Sequence, residues 1–274
     1  MPDTPTPHDF IRVLAPALQQ ASSIARALEG RVANQPKRGE ATAVKAALTG
    51  ADTAAQEALL VALLANFPDV QLEAEEDTPS VRLFRTASDS LVVIDPIDGT
   101  LRFYLEGAGP YAVMIGLALA GEYVAGLVAL PREKLCFQAV RGSGASATVG
   151  DGPTQPIQMP EPTGNRVLVS HDLPDSAILR LRGYGYDVCP ASGGAISVAP
   201  LIPGVRAGLR LARENPEGVS IRGRIGVMIA REAGLIVRGI AGAFPTSIRE
   251  PADALLVACQ AEDLTNLASA LQDT

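Results

Sequence analysis

Apolar residues recur at helical spacing in two early segments, and the pattern then changes to short apolar runs separated by Gly and Pro. Residues 8–34, rich in Ala and Leu, predict a helix with Pro16 near a start or a kink. Residues 49–69 predict the clearest helix. Ala54, Ala55, Ala58, Leu59, Ala62 and Leu63 share one face, Asp52 is placed to cap the start, and Pro68 follows the end. Residues 70–80 read as a short strand that breaks into an acidic loop, and strands are expected near 91–94, 111–119, 123–130 and 134–140.

The run 111–131 is long enough to cross a bilayer and carries a single charge, Glu122. Gly121-Glu122 at its centre has the character of a turn, so a buried hairpin is expected rather than a membrane span. Pro and Gly crowd residues 148–165, which predicts a connector between an α+β part (1–147) and an α/β part (166–274). In that second part strands at 166–170, 186–191, 205–211, 235–237 and 254–259 alternate with helices near 175–182, from 193, near 220–233 and at 262–272.

Composition narrows the function classes. With 274 residues, 47% hydrophobic and 19% charged, the chain can bury a substantial core. Its net charge of -7 argues against a nucleic-acid polymer as partner, and only Lys37, Lys45 and Lys134 of its 23 basic residues are lysines. Cys136, Cys189 and Cys259 are widely spaced and His8 and His171 are the only histidines, so a reduced, cytoplasmic protein without a zinc cage is expected. The segment MPDTPTPHDF has neither the basic nor the apolar region of a secretory leader.

Candidate chemistry concentrates in VVIDPIDGTLRF, residues 92–103. Pro96 restricts Asp95 to an extended conformation and removes a donor, so the strand is expected to end there and Asp98 to turn back toward Asp95, with the Ile97 carbonyl between them. Gly99 permits a tight backbone, and Thr100 is placed to open a helix whose N–H groups favour an anion. Spacing alone leaves two readings open, a solvated acidic turn or carboxylates gathered around a cation. An all-oxygen set of this kind suits Mg²⁺ or Mn²⁺. The acidic run Glu73, Glu75, Glu76 and Asp77 is a second, weaker feature that also fits a solvated loop.

The hexapeptide DPIDGT (95–100) resembles the signature of the inositol monophosphatase family, within the superfamily of lithium-sensitive, magnesium-dependent phosphatases. LTGAD (48–52), AEED (74–77), the segment after the hexapeptide, GLVALPREKLCFQAVRGSGA (126–145) and IAREAG (229–234) are similar to further family segments, so the resemblance runs from about 45 to 260. It implies a layered αβαβα sandwich of the inositol monophosphatase and fructose-1,6-bisphosphatase type, a homodimer, a small phosphorylated metabolite as substrate and a Mg²⁺-activated water as nucleophile. By position, Glu75 matches the glutamate that binds the first metal and orients the water, Asp95 the residue that bridges two metals, the Ile97 carbonyl a first-metal ligand and Asp98 a second-metal ligand. Thr100 matches the threonine that polarises the water, and Asp52 a supporting acid, with Glu76 beside the site. Gly99 and Thr100 would receive the phosphate.

The family's second-half metal ligand, an Asp ten residues before the Glu of E-A-G, falls here on Arg222. A guanidinium cannot ligate a metal, and its charge would compete with one for Asp95 and Asp98. Three accounts are open. Arg222 replaces the second metal's charge and grips phosphate; or Glu217 or Glu214 supplies the missing carboxylate; or the site is impaired and the protein is a ligand-binding or oligomeric module. Gln56 where a glutamate is usual, Ala46 for an acid, Leu235 for a glycine, and a loose SGGA (192–195) followed by Pro200 and Pro203 are further departures.

Overall fold

A computed structural model describes residues 5–40, 42–159, 163–212 and 218–272. Its helices are α1 (Pro7–Leu28), α2 (Ala43–Ala46), α3 (Gly50–Asn66), α4 (Asp175–Gly183), α5 (Gly193–Ser197), α6 (Ile225–Glu232) and α7 (Ala261–Ala270). Its strands are β1 (Gln71–Glu73), β2 (Ser90–Asp98), β3 (Ala112–Leu119), β4 (Glu122–Leu130), β5 (Leu135–Val140), β6 (Ala145–Val149), β7 (Gln155–Pro156), β8 (Arg166–Val169), β9 (Asp187–Pro190), β10 (Val205–Leu211), β11 (Ile236–Arg238) and β12 (Ala254–Ala258).

Local chemistry accounts for the two early helices. Thr6 caps α1 and Pro7 takes its first turn, where a missing N–H costs nothing; Pro16 is carried inside the helix, which continues to Leu28. In α3 the cap is Thr49 and not Asp52. The Thr49 hydroxyl accepts from the Asp52 N–H while the Asp52 carboxylate accepts from the Thr49 N–H, a reciprocal capping box that spends Asp52 on the third helical position.

The first sheet runs β1 to β7 in chain order, with β1 parallel to β2 and the remaining pairs antiparallel. The 111–131 run is the β3–β4 hairpin, turned by Ala120 and Gly121, both at positive φ (49° and 77°). No helix among the described residues is long and apolar enough to cross a membrane. Residues 148–165, read as a connector, begin inside this sheet: β6 extends to Val149 and β7 pairs with it. The second sheet has the order β11-β12-β10-β8-β9, parallel across β10-β8-β9 and antiparallel at β12.

Side-chain alternation sorts these elements into five layers. Val92, Ile94, Val113 and Ile115 pack with α1 and α3 on the outer face of the first sheet. Leu91, Val93, Ala112 and Met114 point the other way, into an interior layer with α5 and α6. Val167, Val169, Ala207 and Leu209 face α4 and α7 on the far side of the second sheet. The result is the αβαβα sandwich, and it leaves the end of β2 against the interior layer, facing residues from the second half.

One polar tie secures α1 to this framework. Arg132 Nε lies 2.6 Å from Glu29 Oε1, its Nη1 donates to the Gly109 carbonyl, and its guanidinium covers the Tyr111 ring. Burial pushes the Glu29 carboxyl up, but hydrogen bonds and charge from Arg132 and Arg26 outweigh it and hold the pKa below the ordinary value. A depressed carboxylate contributes stability above its unfolded pKa and loses it as pH falls through the folded one. Glu29→Gln is therefore expected to cost about 2 kcal/mol at pH 7 in urea unfolding, with the difference closing below about pH 4.

Candidate active site

The acidic signature lies where β2 meets a break in pairing. Asp95 pairs with Met114, the register then shifts, and Asp98 pairs with Ala112. The strand thus does not end at Asp95, as Pro96 led one to expect. A bulge absorbs the missing N–H and carries the strand to Asp98. Gly99 follows at φ +88°, and a Cβ there would lie 2.5 Å from Phe103 Cδ2, so the turn demands glycine. Thr100 then opens a single π-helical turn, Thr100–Leu105, rather than an α-helix.

Asp95 is buried, and its Oδ1 has no hydrogen-bond partner among the described residues. Burial, reinforced by the Glu75 and Asp98 charges, pushes its carboxyl well above the usual range, and Arg222 opposes that rise. Arg222 Nε stands 3.6 Å from Asp95 Oδ2 and 3.9 Å from Glu75 Oε2. Burial works against the guanidinium's charge, but Asp95, Glu75, Glu73 and Asp98 together raise its pKa and keep it a cation. These are charge contacts without hydrogen-bond geometry: the arginine sits in the acidic corner without closing onto it.

Beside this corner, the Thr100 hydroxyl lies 2.9 Å from Asp52 Oδ1 and 2.9 Å from the Ile97 carbonyl. It has one proton for two acceptors, so its lone pairs are held in a fixed direction. Asp52 Oδ2 is occupied by the Thr49 N–H and hydroxyl at 2.8 and 2.6 Å, and burial raises its carboxyl's pKa. Asp98 Oδ2 accepts the Gly194 N–H at 2.5 Å. That approach needs glycine, since a Cβ on Gly194 would fall 2.5 Å from the Met114 sulfur.

Glu75, Asp95 and Arg222 thus converge, and Asp52, Thr100 and the Ile97 carbonyl form a second linked group. Glu76 turns instead to Lys37, with Nζ to Oε1 at 3.1 Å. Glu217 and Glu214 lie outside the described residues. Glu75, Asp98, Gly99 and Thr100 line a cleft of about 230 Å³ that also reaches Lys45 and Arg210. The reading of the sequence missed the role of Gln56. Its amide nitrogen donates to the Glu76 carbonyl and its amide oxygen accepts the Glu76 N–H, so α3 holds the Glu75-Glu76 backbone in place. A buried glutamine at the position where an acid was expected was the available signal.

A divalent ion fits the corner in part. Among the described residues no three His, Cys, Asp or Glu side chains are grouped as a metal cage. The orphaned Asp95 Oδ1 beside Glu75 offers two carboxylates, and the Ile97 carbonyl, two residues along the same bulged strand, is an oxygen of the kind Mg²⁺ accepts in its sparse protein ligation.

The family model described as "Inositol monophosphatase family" matches residues 9–181. A histidinol-phosphatase of Chlorobaculum parvum is 38% identical over 100 residues, 36% of this chain and 36% of that protein. An inositol-1-monophosphatase of Mycobacterium bovis is 30% identical over 161 residues, 58% of this chain and 51% of that protein. The chain therefore aligns with about half or less of these curated relatives' length. A Thermotoga maritima IMPase structure superposes with a TM-score of 0.74 at 19% identity, covering 97% of this chain and 99% of that one, which establishes a shared fold.

Proposed function

The chain belongs to the inositol monophosphatase family, and from that premise we propose that it hydrolyses a small phosphate monoester with the help of a bound divalent cation, Mg²⁺ or Mn²⁺. The observation that carries the reading is Asp95: a buried carboxylate, crowded by Glu75 and Asp98, with an oxygen that no group among the described residues satisfies. Such an arrangement is costly unless a cation is meant to lie against it. A small phosphorylated metabolite as substrate, a cytoplasmic location and a homodimer go with this reading.

Glu75, Asp95 and the Ile97 carbonyl would hold the ion. When bound, it would lower the pKa of a coordinated water and take up charge developing on the phosphoryl oxygens. Glu75 would accept hydrogen bonding from the attacking water. The Thr100 hydroxyl, anchored by Asp52 and the Ile97 carbonyl, would fix that water's direction. Arg222 supplies a permanent positive charge where a second ion is expected, with N–H groups suited to phosphoryl oxygens. Asp98, held by the Gly194 N–H, lines the cleft that receives the ester. Of the three accounts of Arg222, its position 3.6 Å from Asp95 favours the one in which it replaces charge.

Phosphate release from sugar, inositol, histidinol and nucleotide monophosphates, with millimolar Mg²⁺ or with EDTA, tests the proposal. Mg²⁺-dependent release on at least one ester is expected, and release from none would overturn it. Arg222 also sets metal affinity. Two cations share Asp95, so Arg222→Met should tighten Mg²⁺ binding about ten-fold and enlarge the Mg²⁺-induced rise in Tm. An unchanged Mg²⁺ titration would contradict the charge-replacement account.

A further inference from the structure

Arg210 belongs to β10, where Arg206, Gly208 and Arg210 alternate with the buried Ala207, Leu209 and Leu211. Its guanidinium fits into a slot between two glycines. A Cβ on Gly193 would fall 2.1 Å from Nη1 and one on Gly223 2.0 Å from it, so a side chain at either position would push Arg210 out. Nη1 is buried there with no hydrogen-bond partner, and the Arg210 side chain makes no hydrogen bond or ion pair among the described residues.

The slot opens onto the cleft that holds Glu75, Asp98 and Thr100. Gly193 packs on the guanidinium, and the next residue, Gly194, donates to Asp98. Arg210 is therefore one residue along α5 from the acidic corner, on the side lined by Ser170, His171 and Asp172, and no carboxylate stands within ion-pair distance of its guanidinium among the described residues. A guanidinium offers donors only and keeps its charge, so a neutral hydroxyl would satisfy its hydrogen bonds but leave the charge unbalanced. A carboxylate or phosphate would satisfy both, through a two-point contact.

We infer that Arg210 recognises a second anionic group of the substrate, a carboxylate or a second phosphate, at the end of the cleft away from the ester that is hydrolysed. The inference rests on the phosphoester reading of the same cleft and narrows it to phosphorylated acids or bisphosphates. Arg210 is then a specificity residue, distinct in role from Arg222, whose charge lies against Asp95 and Glu75.

The test uses non-hydrolysable phosphonates of matched length on the full chain with Mg²⁺, followed by calorimetry: butylphosphonate, 4-phosphonobutyrate and butane-1,4-bisphosphonate. The wild type is expected to bind one or both of the doubly anionic ligands at least ten-fold more tightly than butylphosphonate. The tighter arm identifies the carboxylate or the phosphate as the second group. Arg210→Gln should reduce that preference below two-fold while leaving butylphosphonate affinity unchanged, and Arg210→Lys should restore part of it. Equal binding of all three ligands by the wild type overturns the inference without reference to any variant. So does an equal loss for every ligand in Arg210→Gln, which would place the guanidinium on the transferred phosphoryl. Binding of no phosphonate overturns it together with the phosphoester reading. Hydrolysis of neutral-tailed and acidic-tailed esters at equal kcat/KM overturns it alone.

Discussion

Asp95→Asn is expected to reduce phosphate release by about 10³-fold or more and to raise thermal stability at the same time. The activity loss follows from removing the carboxylate that would neutralise the cation and set its position, a loss of about 4 kcal/mol of transition-state stabilisation. The stability gain follows from the same residue's surroundings. Its Oδ1 is buried without a partner among the described residues, and Glu75 and Asp98 repel its charge. A carboxyl whose folded pKa is raised binds its proton more tightly in the native state, so stability falls as pH climbs from the ordinary carboxylate pKa through the folded value. Asparagine carries no such penalty. Metal-free Asp95→Asn should melt about 2–5 °C above the wild type at pH 7, a gain of about 1 kcal/mol, and the gap should shrink on acidification. Differential scanning calorimetry in EDTA, paired with phosphate-release assays, measures both halves. A variant that is both active and less stable would contradict the assignment.

The second large effect concerns Arg224, which is 3% exposed and has no carboxylate within ion-pair distance among the described residues. Its Nε donates to the Val219 carbonyl at 3.0 Å, Nη1 to the Ser247 carbonyl at 2.6 Å, and Nη2 to the Glu250 carbonyl, while the guanidinium lies over the Phe244 ring. One side chain thus closes three backbone acceptors and fastens 247–250 to the turn that begins α6. Arg224→Met would keep most of the volume and strand those carbonyls, at an expected cost of about 3–4 kcal/mol, or about 10 °C in Tm. Arg222 lies on the same turn, which is also tied by the Tyr123 hydroxyl to the Ile221 carbonyl at 2.9 Å. Activity should therefore fall together with stability, and Mg²⁺ should restore little of either. A loss under 1 kcal/mol in urea titration would show that water satisfies the carbonyls instead.

The first half of the site was legible because its chemistry is local. The chain places Asp95, Ile97, Asp98, Gly99 and Thr100 within six residues, and the bulge and glycine turn bring their polar groups together with little help from elsewhere. The alternating apolar residues of β2, β3 and β4 likewise announced strands buried on both faces. Local reading failed where a residue had two possible tasks. Asp52 has the chemistry of a cap, but Thr49 takes that position, and the carboxylate is left to hold Thr100. Pro96 was expected to end a strand, and the sheet tolerated it through a register shift. The second half was the least legible because its partners are set by packing between sheets. Nothing local to SGGA says that Gly194 will meet Asp98, 96 residues earlier, or that Gly193 and Gly223 will enclose Arg210. Arg222 was visible as a departure from a pattern, but its approach to both Asp95 and Glu75 depends on how α6 is docked.

The interior layer between the two sheets has a consequence for how this protein can be divided. The acidic corner belongs to β2 and the loop after β1, while the N–H that holds Asp98 and the charge that faces Asp95 come from beyond β8. A cut in the connector between β7 and β8 would leave a fragment rich in recognisable signature and poor in what neutralises it, with three carboxylates facing an exposed apolar surface. The complementary fragment would carry Arg210 and Arg222 without Glu75, Asp95 or Asp98 to face. Neither piece would hold half of an active site, because the electrostatic balance exists only across the seam where the two are pressed together.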